Sequence, residues 1–282
     1  MSTSGSITKG ALLVAGTSIG GGMLALPVLT GQAGFIPSIT IYLLCWLFMA
    51  TTGLLFLEIS LWMGKESNII SMAESTLGKA GKIFAWILYL FLFYCLTLAY
   101  IVGAGDLIVQ LLKHLFKHSI NEWQGELIFL AIFGPFVFLG ARIVGKFNVF
   151  LMLGLGLSYL AFVVLGFSYV NSQLLANSNW KYSLAALPIT FTAFAYQGII
   201  PTLVHYMHFN ARNIRYAILI GSFLPFIAYT IWQWLILGIV PVEGPGGLVD
   251  TLNEGQNAVQ PLKKFISNPW VYSVGQSFAF FA

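Results

Sequence analysis

Long apolar runs dominate this chain and leave it few ways to fold. A membrane span takes about 20 mostly apolar residues. By that measure spans fall near 8–30, 36–63, 83–112, 125–141, 147–170, 184–206 and 215–241, and an eighth opens near 269. The chain is 58% hydrophobic and 8% charged, where a soluble domain carries about 25% charge. It therefore reads as an all-α, polytopic protein of the lipid bilayer. The eighth run reaches Ala282 with no polar flank, so a fragment or the product of a shortened gene is expected.

Several function classes fall away on the same grounds. The net charge of +4 comes from basic residues scattered over loops, with no basic stripe, so no nucleic-acid partner is expected. Cys45 and Cys95 lie inside apolar runs and suggest neither a disulfide nor a metal site. His114 and His118 fall in one predicted loop and His205 and His208 in another, on opposite faces, which argues against a shared metal. No convergent nucleophile and base stand out, so an enzyme is not expected, and neither is a bound cofactor. Oligomeric state is not legible.

The first span is interrupted where a membrane helix should be regular. Gly16-Thr17-Ser18-Ile19-Gly20-Gly21-Gly22-Met23-Leu24-Ala25-Leu26-Pro27 holds four Gly and a closing Pro. An interior Gly costs a helix about 1 kcal/mol relative to Ala, and Pro about 3 kcal/mol. In hydrocarbon the freed backbone groups have no water to turn to, so irregular backbone is tolerated only where protein buries it or it lines a cavity. The stretch reads either as an unwound half-helix junction facing a solute or as a small-residue packing face. The sixth span breaks in a similar way, at Phe194-Ala195-Tyr196-Gln197-Gly198-Ile199-Ile200-Pro201. Five spans separate the two starts, and an odd offset inserts the second copy upside down. Paired interruptions in inverted halves point to a transporter's binding site. The halves would be 1–170, a five-helix repeat, and 184–282, an incomplete second one, within one transmembrane domain, 1–282.

The breaks by themselves point only to a solute; the family resemblance of these two stretches implies an amino acid, and a zwitterion would suit such a pair of breaks. Its carboxylate fits N–H groups at a half-helix N-terminus, and Gly20, Gly21 and Gly22 permit close backbone approach. Its ammonium fits freed carbonyls and the Thr17 and Ser18 hydroxyls, unless those back-bond within their own helix. Ala195 and Gly198 belong to the second break, where Tyr196 and Gln197 would read a ring and its hydroxyl; alternatively Tyr196 packs against the first span. Glu58 and Asp106 are the acids well inside apolar runs, hence candidates for proton coupling. Otherwise Glu58 snorkels or pairs with Lys65, and Asp106 caps the end of span three. With the N-terminus inside, the inner loops hold eight basic residues, all three Arg among them, and the outer loops five, which favours N-in.

The Gly16–Pro27 stretch closely resembles the first-helix signature of the hydroxy and aromatic amino acid permeases, and Phe194–Pro201 is similar to their sixth-helix break. Within that family the opening looks most like bacterial tyrosine-specific permeases of the chlamydial kind. The resemblance implies the leucine-transporter fold, an inverted repeat of five spans, here with a truncated second copy. It also implies proton-driven import of tyrosine or another aromatic amino acid across the bacterial inner membrane. Serine or tryptophan as substrate, and sodium as coupling ion, stay open, as do a channel or a solute receptor. A chain without most of span eight would bind weakly or not transport.

Overall fold

The computed structural model describes residues 6–64, 68–116, 120–138 and 141–282, excepting the side chains of 114–116, 136 and 141–148. Lys65, the proposed partner of Glu58, and His118 lie outside the described residues. The helices are α1 (Ile7–Ser18), α2 (Gly22–Thr30), α3 (Phe35–Met63), α4 (Ile69–Phe116), α5 (Glu122–Phe138), α6 (Ala141–Gly166) and α7 (Ser172–Leu175). They continue with α8 (Leu187–Ala193), α9 (Ile200–Tyr206), α10 (Ala211–Ile239), α11 (Leu248–Asn253), α12 (Leu262–Phe265) and α13 (Pro269–Phe281). Among the described residues there is no strand, only an isolated bridge between Gly34 and Ser178. Five segments are long and apolar enough to cross a membrane, and six if the bent pair of α1 and the helix after it counts as one. This is a multi-pass membrane protein. At about 1.5 Å per residue, the 17 residues of α5 fall a little short of a hydrocarbon core. The apolar runs locate the helices, but α4 begins at Ile69 rather than 83, and α5, expected as a span near 125–141, is not among the segments that qualify. α6 starts at Ala141 rather than 147 because the basic linker Arg142–Lys146 is itself helical.

Two compact units form. One comprises 1–68 and 154–282; the other is 69–153. In the first, α1 lies directly on α10. Small residues allow this: a Cβ on Gly221 would stand 2.5 Å from the Ala11 carbonyl oxygen, and one on Gly10 would stand 3.0 Å from the Ala217 Cβ. Close backbone approach substitutes here for a hydrophobic drive, which lipid tails do not supply. The contacts advance together along both chains, so α1 and α10 run parallel. α3 runs antiparallel to α10, as Tyr42 with Gln233, Trp46 with Ser222 and Glu58 with Arg215 require. α8 and the turn after it follow α3 in the same sense, through Phe48 with Phe191 and Gly53 with Tyr196. The two interrupted segments therefore run in opposite directions.

Gly34 makes the turn from α2 to α3. Its φ is +84°, and a Cβ there would meet the Asn177 carbonyl oxygen at 2.0 Å, so no other residue fits. The Val242–Asn268 connection carries α11 and α12, as its length suggested. It leans on α2: the Ala258 N–H donates to the Leu24 carbonyl at 3.2 Å. In α13, Phe278 packs against Tyr159 and Trp232.

In the second unit, α4 is broken at Gly78, whose φ of +68° suits only glycine well. Beyond that break α4 meets α5 where Gly105 and Gly125 face each other; a Cβ on Gly125 would stand 2.5 Å from the Gly105 carbonyl oxygen. Lys82 and Glu74 pair at 2.8 Å near the start of the unit.

Candidate functional site

Both interruptions are present. α1 stops at Ser18, Ile19 is extended with ψ 118°, and the helix resumes at Gly22 on a course bent by 56°. α8 stops at Ala193; Phe194, Ala195 and Tyr196 are unwound, and a 3₁₀ turn at Gln197–Ile199 leads into α9. The breaks lie against each other: a Cβ on Gly22 would make ordinary contact with Ala193 at 3.7 Å.

One side chain joins them. Tyr229 of α10 is fully buried, and its hydroxyl donates toward the Ser18 carbonyl at 2.6 Å and the Ala193 carbonyl at 3.0 Å. These are the last helical carbonyls of α1 and α8, groups that a helix leaves without an internal donor. Phe194 stands edge-on to the Tyr229 ring, centroids 5.1 Å apart, and edge-on to Tyr42 at 6.2 Å. Behind Phe194 lies a closed polar triangle. Tyr42 donates to Gln233 Oε1 (2.8 Å), Gln233 Nε2 donates to Thr30 Oγ1 (2.8 Å), and Thr30 donates to the Leu26 carbonyl (2.8 Å). All three side chains are buried, so the triangle holds the end of α2 to α3 and α10.

The glycines of the first break hold open donors. The carbonyls of Gly20 and Gly21 accept from Met23 and Leu24, starting α2. Among the described residues nothing accepts from the N–H groups of Gly20 or Gly21. The buried Ser18 Oγ likewise has no partner among them. Thr17 differs: it is exposed, and its hydroxyl donates to the Val14 carbonyl at 2.7 Å. That is the back-bonded alternative.

In the second break, Ala195 and Gly198 are exposed. Tyr196 is buried in a core cluster that also holds Val14 of α1, and its hydroxyl donates to the Met49 carbonyl of α3 at 2.9 Å. Gln197 follows it, reaching Met49 Sδ at 2.9 Å and Thr52 Oγ1 at 3.2 Å, while its Oε1 accepts from the Tyr196 N–H at 3.1 Å. Gly53 makes the room, because a Cβ there would lie 2.2 Å from the Tyr196 hydroxyl.

The two acids lie in different units. Glu58 is half-exposed and meets Arg215 at 3.4 Å, tying α3 to the start of α10. Asp106 lies in the second unit, with Glu122 and Glu126 as its charged neighbours. Among the described residues no group of His, Cys, Asp and Glu could hold a metal ion. His205 and His208 are exposed near the end of α9.

Sequence reasoning passed over Tyr229, Gln233 and Thr30. A signal was present in α10: Ser222, Tyr229 and Gln233 recur at seven and four residues, so one helical face carries three polar groups in an apolar span.

Comparison with known proteins identifies the family. Residues 3–282 match the model of the tryptophan/tyrosine permease family. A tryptophan-specific transport protein of Haemophilus influenzae is 30% identical, across 98% of this chain and 69% of that protein. A tyrosine-specific transport system of the same organism, system 1, is 35% identical across 81% of this chain and 57% of its own length. A glutamine transporter of Aliivibrio fischeri is 28% identical across 81% of the chain and 60% of its own length. The chain thus spans between 57% and 69% of the length of these relatives.

Proposed function

Because the chain belongs to the tryptophan/tyrosine permease family, we propose that it forms the substrate-binding portion of a secondary active importer of aromatic amino acids. Tyrosine is its first candidate substrate. The meeting of the two helix breaks carries this reading. Where the breaks meet, the chain offers N–H groups on Gly20 and Gly21 and a Ser18 hydroxyl without partners among the described residues, beside two half-helix carbonyl ends that Tyr229 holds. A zwitterion has complementary ends for both kinds of group. Its carboxylate would sit on the glycine N–H groups at the start of α2. Its ammonium would take Ser18 Oγ and the unwound carbonyls near Phe194 and Ala195. The opposite directions of the two broken segments favour an inverted repeat. The family relation supports a bacterial inner membrane, and the basic-residue count favours the N-terminus inside.

Tyr196 and Gln197 act here as anchors of the second break on α3, and the Thr17 hydroxyl is taken up within α1 by the Val14 carbonyl. The ring of the substrate would then be read by other groups, with Ala195 and Gly198 leaving space. Relatives named as tryptophan and tyrosine transporters support an aromatic substrate without fixing the ring, and the one named as a glutamine transporter widens the class to be tested. For coupling, a proton is the first choice and sodium the second. Glu58 is the better-placed acid, since its protonation would release Arg215 and loosen α3 from α10.

Uptake of labelled tyrosine into cells lacking their own aromatic permeases tests this. The chain is compared with a relative of full length, with and without a protonophore. Protonophore-sensitive uptake by either form supports proton-coupled import. Flux that never exceeds equilibrium indicates a channel, and saturable binding without flux a receptor. No uptake of tyrosine, tryptophan or serine by correctly inserted protein rejects the proposal.

A further inference from the structure

The negative ends of two helices converge on a single neutral side chain. α1 and α8 reach the middle of the first unit from opposite directions and stop at Ser18 and Ala193. Each helix end carries partial negative charge, up to roughly half an elementary charge. In an apolar interior each terminal carbonyl needs a donor. Such a convergence calls for either a bound cation or a resident donor. Here the phenol of Tyr229 reaches both carbonyls, at 2.6 Å and 3.0 Å, from a fully buried position. Its ring is held by Phe194, itself part of the second break.

We infer that Tyr229 is a positioning residue whose hydroxyl stands where a monovalent cation would otherwise join the two breaks. The half-helices therefore keep their mutual spacing without bound sodium. One O–H cannot align fully with two acceptors, so it sets the spacing of the carbonyls while leaving acceptor capacity on each. A substrate ammonium then meets carbonyls already assembled, which lowers the ordering cost of binding. Only this last step rests on the transport reading; the joining of the breaks stands apart from it.

The test uses the full chain in nanodiscs, with Cys45→Ala and Cys95→Ser, and spin labels at Leu12→Cys on α1 and Thr192→Cys on α8. The interlabel distance is measured in sodium chloride and in choline chloride, with and without Tyr229→Phe, which keeps the ring and removes the hydroxyl. The expected result is one narrow distribution for the parent in both salts. The Phe variant should give a broad distribution in choline that sodium narrows. Binding of radiolabelled tyrosine is read on the same samples. In choline the Phe variant should bind about tenfold more weakly, the scale of one lost buried hydrogen bond. An equally narrow distribution for the Phe variant in choline overturns the inference, and so does a parent that is narrow only in sodium. If the variant fails to fold, the comparison of salts on the parent decides. A parent that binds no amino acid but keeps a narrow distance in both salts rejects the transport reading and leaves the role of Tyr229 standing.

Discussion

Gly53 of α3 and Tyr196 of the second break are matched in shape: a methyl on the glycine would lie 2.2 Å from the tyrosine hydroxyl and 2.9 Å from the ring carbon that bears it. The missing Cβ lets that hydroxyl reach the Met49 carbonyl one turn earlier on the same helix. Gly53→Ala should push the phenol out of this bond. Overpacking of a tight site costs about 1–3 kcal/mol, readable as a lowered melting temperature in detergent. Adding Tyr196→Phe should recover part of the loss, because the nearest clash is with the hydroxyl. A Gly53→Ala protein as stable as the parent would show that the contact is easily relieved.

The Thr30, Tyr42 and Gln233 triangle should respond asymmetrically. Gln233→Leu alone takes one partner from each buried hydroxyl, leaving Tyr42 only its 3.2 Å contact with Thr30, a penalty of about 1–3 kcal/mol. Replacing all three, with Thr30→Val and Tyr42→Phe added, removes the unsatisfied groups and should lie closer to the parent than the single variant. Thermal unfolding of the three proteins decides; a triple variant less stable than Gln233→Leu would contradict the argument.

Glycines divide by what they face. Gly221→Ala drives a methyl into the Ala11 carbonyl at 2.5 Å, which is backbone and cannot turn aside. It should separate α1 from α10 and lower both stability and binding. Gly103→Ala and Gly156→Ala meet nothing within 4 Å. Both should be neutral, or stabilising by up to about 1 kcal/mol through helix propensity. Parallel melting curves test the contrast.

Thr17 and Ser18 are neighbours with opposite expectations. The Thr17 hydroxyl already has the Val14 carbonyl, so Thr17→Val should leave tyrosine affinity within about twofold. The Ser18 hydroxyl is buried without a partner among the described residues. If it receives the substrate, Ser18→Ala should weaken binding by about 2–10-fold, the range for one hydrogen bond. Equilibrium binding of labelled tyrosine separates them, and equal effects would remove Ser18 from the site.

The Glu58 and Arg215 pair is half-exposed and long, so Glu58→Gln should change stability by less than about 1 kcal/mol. Its effect on coupling is a separate matter. If Glu58 carries the proton, accumulation against a gradient should fail in the variant while binding persists. Accumulation that stays protonophore-sensitive would move the role elsewhere.

The spans and both breaks were legible because apolar length and the Gly and Pro positions are local properties of the chain. The direction in which a side chain leaves a break is not local. Tyr196 and Gln197 look like substrate readers in sequence, yet they turn onto α3, because Gly53 opens a slot 143 positions away. Thr17 and Ser18 are adjacent hydroxyls at the end of α1, one back-bonded to Val14 and the other buried without a partner among the described residues, a difference their sequence does not carry. Tyr229 was hidden for a related reason. A lone tyrosine in an apolar span looks like packing until its partners, the carbonyls of two other segments, are brought to it.

The link between Ser18 and Tyr229 also bears on how the chain is made. The two residues are 211 positions apart. At ribosomal rates of 5–20 residues per second that interval is about 10–40 s. Throughout it the newly inserted first segment holds a helix end whose eventual donor does not yet exist. The segment must either stay beside the insertion machinery or remain a straight helix until α10 arrives. In the second case the bend at Gly20 and Gly21 is a late event of assembly rather than a property the first segment has when it enters the bilayer.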